Sequence, residues 1–141
     1  MNMELLNQEI AKIEASIDAY DEVDSQVAYA CIDTITKAGF KEEAVEPLLQ
    51  LIERHPAAYF GDPGMIVHFI EQFRGRYETY LIESLRRIPA ITTVEMANRC
   101  INDRIRAQEF LDILRDAAAN PEVGSDIRER ARDYLEFQAG K

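Results

Sequence analysis

Apolar residues return along this chain at intervals of three and four, with polar residues between them, over nearly its whole length. That spacing lays an apolar stripe along a helix, and the strict alternation of a half-buried strand is almost nowhere present. Leu6, Ile10, Ile13 and Ile17 define a first helix, from about Met3 to Ala19. A second starts near Asp24, carries Val27, Cys31, Ile32 and Ile35, and stops at Gly39, a residue suited to the left-handed position after a helix. Val45, Leu48, Leu49 and Ile52 mark a third, which ends before Pro56. Asp62-Pro63 reads as an N-cap followed by a first-turn proline, opening a fourth helix with Ile66, Val67, Phe69, Ile70 and Phe73. A fifth carries Tyr77, Tyr80, Leu81, Leu85 and Ile88 and stops before Pro89. Thr92-Thr93-Val94-Glu95 reads as a capping box for the sixth. Phe110, Leu111, Ile113, Leu114, Ala117 and Ala118 mark a seventh, ended by Asn120-Pro121, and Ile127, Ala131, Tyr134 and Leu135 an eighth.

Short connections and the absence of a linker or low-complexity tract make residues 1–141 a single helical domain. A chain of this length buries roughly 68–70% of the surface its unfolded form exposes, enough for a core without metal or disulfide staples. A weak repeat adds detail. Residues 48–56 align with 81–89, and those in turn with 113–121, so a helix ending at a proline corner recurs along the chain. That recurrence predicts about eight antiparallel helices stacked as HEAT-like hairpins, with Ile32, Leu49, Phe69, Leu81, Ile101 and Leu114 in the core. Cys31 and Cys100 each lie in an apolar stripe and read as buried reduced thiols.

The formal charge is −10, unevenly spread. Residues 1–70 hold 13 acids against 4 Lys/Arg, and residues 71–141 hold 13 against 12. The N-terminal half therefore repels nucleic acid and anionic membrane and attracts a basic partner. Met1-Asn2-Met3-Glu4 has no cationic segment ahead of an apolar run, and no stretch approaches the ~18 apolar residues of a membrane span. A cytoplasmic protein is expected.

No constellation of catalytic residues stands out, and no metal or cofactor is expected. His55 falls at a helix C-terminus, where an imidazolium complements the dipole. His68 and Glu71 have metal-ligand spacing, but a di-metal carboxylate bundle needs that motif twice. A surface histidine paired with Glu71 is the simpler reading. The glycines form no phosphate-cradling loop, and Arg104, Arg106, Arg128, Arg130 and Arg132 are interrupted by Asp103, Glu109, Asp126, Glu129 and Asp133, so intrahelical ion pairs are expected in place of nucleic-acid contacts.

Two features rise above this background as candidate partner contacts. One is the acidic run Glu14, Asp18, Asp21, Glu22 and Asp24, free of Lys and Arg and joined after the next turn by Glu42, Glu43 and Glu46. The other is the loop Ala58-Tyr59-Phe60-Gly61-Asp62-Pro63-Gly64, whose aromatics either face a partner or staple onto Ile66 or Val67. Glu71, Arg74 and Tyr77 form a secondary candidate patch.

Phe60-Gly61-Asp62-Pro63-Gly64, Val67-His68-Phe69-Ile70-Glu71, Tyr80-Leu81-Ile82-Glu83-Ser84-Leu85, Pro89, Thr93, Met96, Asn98-Arg99 and Ile101-Asn102 together carry a resemblance. Residues 58–103 resemble small helical immunity proteins of bacterial polymorphic-toxin and contact-dependent growth inhibition systems. The resemblance implies a protein that binds and neutralises the toxic domain of a cognate effector in the producer's cytoplasm, often by masking its active site. A basic nuclease would complement the acidic half. Contact residues in such proteins vary with the toxin, so none is carried over. A HEAT-like adaptor, or a carboxylate metal enzyme around His68 and Glu71, are the competing classes.

Overall fold

The computed structural model describes residues 2–141. Regular structure in them is helical: α1 (Met3–Ala15), α2 (Ser25–Lys37), α3 (Val45–Arg54), α4 (Met65–Glu71), α5 (Tyr77–Arg87), α6 (Ile91–Asn102), α7 (Ala107–Ala119) and α8 (Ser125–Ala139), with a 3-10 turn at Glu42–Ala44 leading into α3. The all-α expectation holds. Ile32, Leu49, Phe69, Leu81, Ile101 and Leu114 are all buried in one apolar cluster, as their place on the stripes requires.

The helix ends determine which residues reach the surface, and three of them differ from the sequence reading. α1 stops at Ala15, short of Ala19, because Asp18 draws the Tyr20 and Glu22 amides onto its own carboxylate. Such a local bond competes with the helix and here displaces it. Asp62-Pro63 (a cis peptide) does not cap α4, which begins behind Gly64 without a side-chain cap. Gly61 and Gly64 both adopt positive φ; a Cβ on Gly61 would collide with the Gly64 backbone, and one on Gly64 with the Phe60 carbonyl oxygen. Only glycine fits there. α6 starts at Ile91, where the Ala90 N–H donates to Thr93 Oγ1 at 3.0 Å, and Glu95 has no capping role.

Other ends follow the reading. Beyond α2, Gly39 has φ +92°, its N–H reaches the Thr36 carbonyl, and the Phe40 N–H reaches back to Ile35. This double bond pattern terminates the helix. α6 ends the same way, with Ile105 donating to Cys100, but Arg104 holds the left-handed position at φ +61°.

Side chains tie the helix ends together in two series. Glu14 on α1 accepts two bonds from Arg54 at the end of α3, both 3.0 Å, and lies 2.6 Å from His55 Nε2. Glu53 on α3 accepts from Ser84 Oγ at 2.7 Å and Arg87 at 2.8 Å on α5. In the other series Glu71 on α4 accepts from Arg99 on α6 at 2.8 Å, and Gln138 on α8 donates to Asn98 on α6 at 2.7 Å. Helix packing follows the same order: α1, α3, α5 and α7 touch in succession, as do α2 with α4 and α6 with α8.

These ion pairs also set charge states. Arg54 holds the Glu14 carboxyl below the usual range. Burial pushes Glu53 upward, but the Arg87 and Ser84 hydrogen bonds outweigh it and leave this carboxyl low as well. Cys31 and Cys100 are free and buried, and burial pushes the Cys100 thiol up to about 11, away from thiolate chemistry.

Candidate partner-binding surface

Between α1 and α2 the chain makes a turn fixed by its own acids. Asp18 Oδ1 accepts the Tyr20 N–H at 2.8 Å and the Glu22 N–H at 3.1 Å. Asp21 takes φ +58°, a left-handed conformation that aspartate tolerates better than most residues. Asp24 then caps α2 by accepting from the Gln26 and Val27 amides.

This turn is strapped to the segment between α3 and α4. The Tyr59 N–H donates to the Asp21 carbonyl at 2.7 Å, and the Val23 N–H to the Tyr59 carbonyl at 3.0 Å. One residue-pair of bridge results, between Glu22 and Tyr59. On its other side the strap accepts the Ile91 N–H at the Pro56 carbonyl, 2.8 Å away. Backbone in this extended form alternates its side chains: Ala58 inward, Tyr59 outward, Phe60 inward.

The acidic turn and the Tyr59 loop, separate in sequence, therefore lie side by side. Asp21 and Glu22 are exposed and their carboxylates have no hydrogen-bond or ion-pair partner among the described residues. Next to them in the chain the Tyr20 ring is 88% exposed, and Tyr59, bridged to Glu22, is 45% exposed. A groove of about 410 Å³ runs beside them, bounded by Ser25 and Ala28 of α2, by Phe60–Gly64, and by Met65 and His68 of α4. Tyr29, one turn beyond Ser25, adds a third exposed ring. Tyr20 and Tyr29 were absent from the sequence reading: Tyr29 lies off the α2 stripe, which is the signal that finds it, whereas Tyr20 continues the spacing of Leu6, Ile10, Ile13 and Ile17 and is exposed because α1 ends at Ala15.

The remaining expected contact residues separate into groups. Asp18 and Asp24 are exposed but turn their oxygens to local amides, and Asp62 lines the groove. Glu42 pairs with Arg76 at 3.4 Å, while Glu43 and Glu46 border neither groove described here. Phe60 and Tyr77 are corrections: at 2% and 4% exposure both rings belong to the core, and the Tyr77 hydroxyl lies 3.3 Å from Cys100 Sγ. The expected pairing of Glu71 with His68 does not form among the described residues: Arg99 occupies both Glu71 oxygens, and no hydrogen bond joins Glu71 to the exposed His68.

Tyr59 borders a second groove of about 430 Å³, enclosed by Ala57, Ile91 and the α8 face bearing Asp126, Glu129, Arg130 and Asp133. The expected ion pairs along α8 do not form among the described residues; Arg132 instead donates to the Ala118 carbonyl, whereas Arg106 does pair with Glu109. Glu95 stands one turn beyond Ile91 on α6, half-buried and without a hydrogen bond among the described residues. Burial first, and Asp62 second, push its carboxyl above the usual range, with Arg130 and Arg99 offsetting only part.

No group of three or more His, Cys, Asp or Glu side chains among the described residues has the geometry to hold a metal ion, and no helix is long and apolar enough to cross a membrane. Compared with protein-family models, curated proteins and solved structures, the chain matches none. This surface sets exposed aromatic rings on a hydrogen-bonded turn, with carboxylates beside them.

Proposed function

We propose that this protein is an immunity protein, a HEAT-like stack of helical hairpins. It binds the toxic domain of a cognate bacterial effector in the producing cell's cytoplasm and covers the active site or nucleic-acid groove. The tyrosine-bearing acidic turn carries this reading: Tyr20 projects beside Asp21 and Glu22, strapped to Tyr59. Aromatic anchors among carboxylates meet a basic nuclease surface through ring burial and charge complementarity. The paired series of helices, α1-α3-α5-α7 and α2-α4 with α6-α8, supports the stacked-hairpin part of the proposal.

The test is to co-express the toxic domain with this chain and measure both growth rescue and binding rates. Rescue is expected, with association that slows as salt rises, because screening shortens to roughly 8 Å at physiological ionic strength. Reversing Asp21 and Glu22 together should lower the association rate, and Tyr20→Ala should raise dissociation. Rescue with binding indifferent to salt and to all these changes would remove the acidic turn from the interface. Failure to rescue or bind would end the immunity reading.

A further inference from the structure

Both halves of the candidate surface grow out of one cluster of charged side chains. The acidic turn leaves the end of α1, where Glu14 lies in the last turn, and the strap leaves α3 at Arg54 and His55. Glu14 accepts from Arg54 Nε and Nη2, both at 3.0 Å, and lies 2.6 Å from His55 Nε2. A single carboxylate therefore holds the exits of both helices. Further along, the two segments meet again through the Tyr59 N–H on the Asp21 carbonyl and the Val23 N–H on the Tyr59 carbonyl. At its base the turn is closed by the Asp24 N–H on Ser16 Oγ, 3.2 Å away, and the strap by the Ala58 N–H on the His55 carbonyl, 3.0 Å away. Turn and strap thus form a closed frame with Glu14 and His55 at one end and Tyr59 at the other.

One member of the cluster changes charge near neutrality. Arg54 first, and His55 after it, hold the Glu14 carboxyl low against the upward push of burial, so it is an ionised acceptor there. An ionised carboxylate only accepts, which puts a hydrogen on His55 Nε2. That N–H is an ordinary donor on the neutral ring and a charge-assisted donor, roughly twice as strong, on the imidazolium. Histidine makes this change between about pH 5 and pH 8. The other charged groups on the surrounding elements are engaged elsewhere. Glu53 beside Arg54 is held by Arg87 of α5, and Glu9 of α1 by Lys12. The acids of the turn are exposed or bound to local amides, and the first charged side chain along the strap is Asp62, near Glu95 of α6.

We propose that Glu14, Arg54 and His55 form a pH-sensitive latch, with Glu14 as a positioning residue that keeps the acidic turn and the Tyr59 strap in register, firm while His55 is charged and looser once it is neutral. Arg54 keeps its two bonds to Glu14 in both states, so the latch changes the firmness of the frame and leaves the helices joined. Because Glu14 stays ionised across the range in which histidine titrates, the frame is tightest at the acid end and relaxes as pH rises. Tyr20 and Tyr59 ride on that frame. The consequence for a toxin partner rests on the immunity reading; the latch itself does not.

The experiment follows the full chain, isotope-labelled and without partner, by NMR between about pH 5 and pH 8. The His55 ring nitrogens report the tautomer, and the amide protons of Tyr59 and Val23 report the two bonds that join strap and turn. At the alkaline end the His55 hydrogen is expected on Nε2. The Tyr59 and Val23 amide protons should move upfield as pH rises, with the midpoint of the His55 ring. Glu14→Gln and His55→Gln, each shown to be folded by its thermal transition, should remove that step, whereas a merely structural contact would shift the amides equally at every pH. His68→Gln changes the other of the two histidines and should keep the step. A hydrogen on Nδ1, amides that ignore the His55 midpoint, or a step that survives Glu14→Gln or vanishes with His68→Gln would each overturn the latch. Where a variant fails to fold, the tautomer and the shared midpoint in the unaltered chain decide alone. Toxin neutralised by a protein without the step ends the latch and leaves the immunity reading standing. The step in a protein that neutralises no toxin ends the immunity reading alone.

Discussion

The seam between α3 and α5 and the cleft between the strap, α6 and α8 place the same residue type in opposite circumstances. In the seam, Glu53 loses water but gains Ser84 and a two-pronged Arg87. One turn along α6 from the Ile91 that lines the cleft, Glu95 loses water and gains only neighbouring acids and two arginines that do not bond it. Burial pushes both carboxyls upward, and hydrogen bonding decides that one ends low and the other high. Charge in the seam holds helices together. Charge in the cleft remains available to something else.

Mutation can break this contrast. The largest effect is expected beneath the seam, where Leu81→Ala should cost about 2–5 kcal/mol, against about 1 kcal/mol or less for Ile91→Ala at the half-exposed cleft floor. Urea unfolding measures both, and equal losses would make the cleft a structural region like the seam. Arg87→Ala should cost about 1–3 kcal/mol, because the nearly buried Glu53 carboxylate keeps only Ser84. Glu95→Gln should do the reverse and raise stability by a few tenths to about 1 kcal/mol, a gain discounted for solvent screening.

The two regions also differ in the sign of their pH response. Glu14 and Glu53 are lower in the fold than in the unfolded chain, so their contribution is present at neutral pH and lost as pH falls through their depressed values. Glu95 is raised, so its contribution is complete in acid and lost as pH rises through its elevated value. Stability measured from pH 7 downward should therefore show the Glu95→Gln advantage shrink to nothing in acid. Arg87→Ala should flatten the acid loss. A change of similar size is expected away from both regions: Arg104→Gly, which frees a left-handed position from its Cβ, should stabilise by about 0.5–1 kcal/mol, read from the shift of the urea midpoint.

Helix faces were legible because burial enforces periodicity; Leu49, Leu81 and Leu114 had to lie inward whatever the neighbouring helix was. Helix ends were less legible where several local hydrogen bonds compete. Asp18 could have sat on an extended α1, yet its carboxylate takes two amides and ends the helix early. Asp62 ahead of Pro63 had the chemistry of a cap, but a turn with two glycines at positive φ follows and displaces the helix start. The candidate site was half visible. Asp21, Glu22 and Tyr59 carry their character in the sequence, whereas their adjacency depends on a tertiary strap. Tyr59 and Phe60 read alike until a period-two backbone sends one out and the other in. Glu95 looked like a cap residue, and burial first, with Asp62 second, gives it another character.

The strap has a consequence for motion. Three backbone hydrogen bonds among the described residues join points distant in the chain, Tyr59 to Asp21, Val23 to Tyr59 and Ile91 to Pro56, and all three involve this one segment. Every other backbone hydrogen bond there is local to a helix or turn. Opening the strap would release the acidic turn and the start of α6 together while leaving each helix intact. The amides of Val23, Tyr59 and Ile91 should accordingly exchange with solvent deuterium as one cooperative unit, at an opening free energy below that of global unfolding. A partner seated across Tyr59 would slow all three at once, a shared kinetic signature of occupancy.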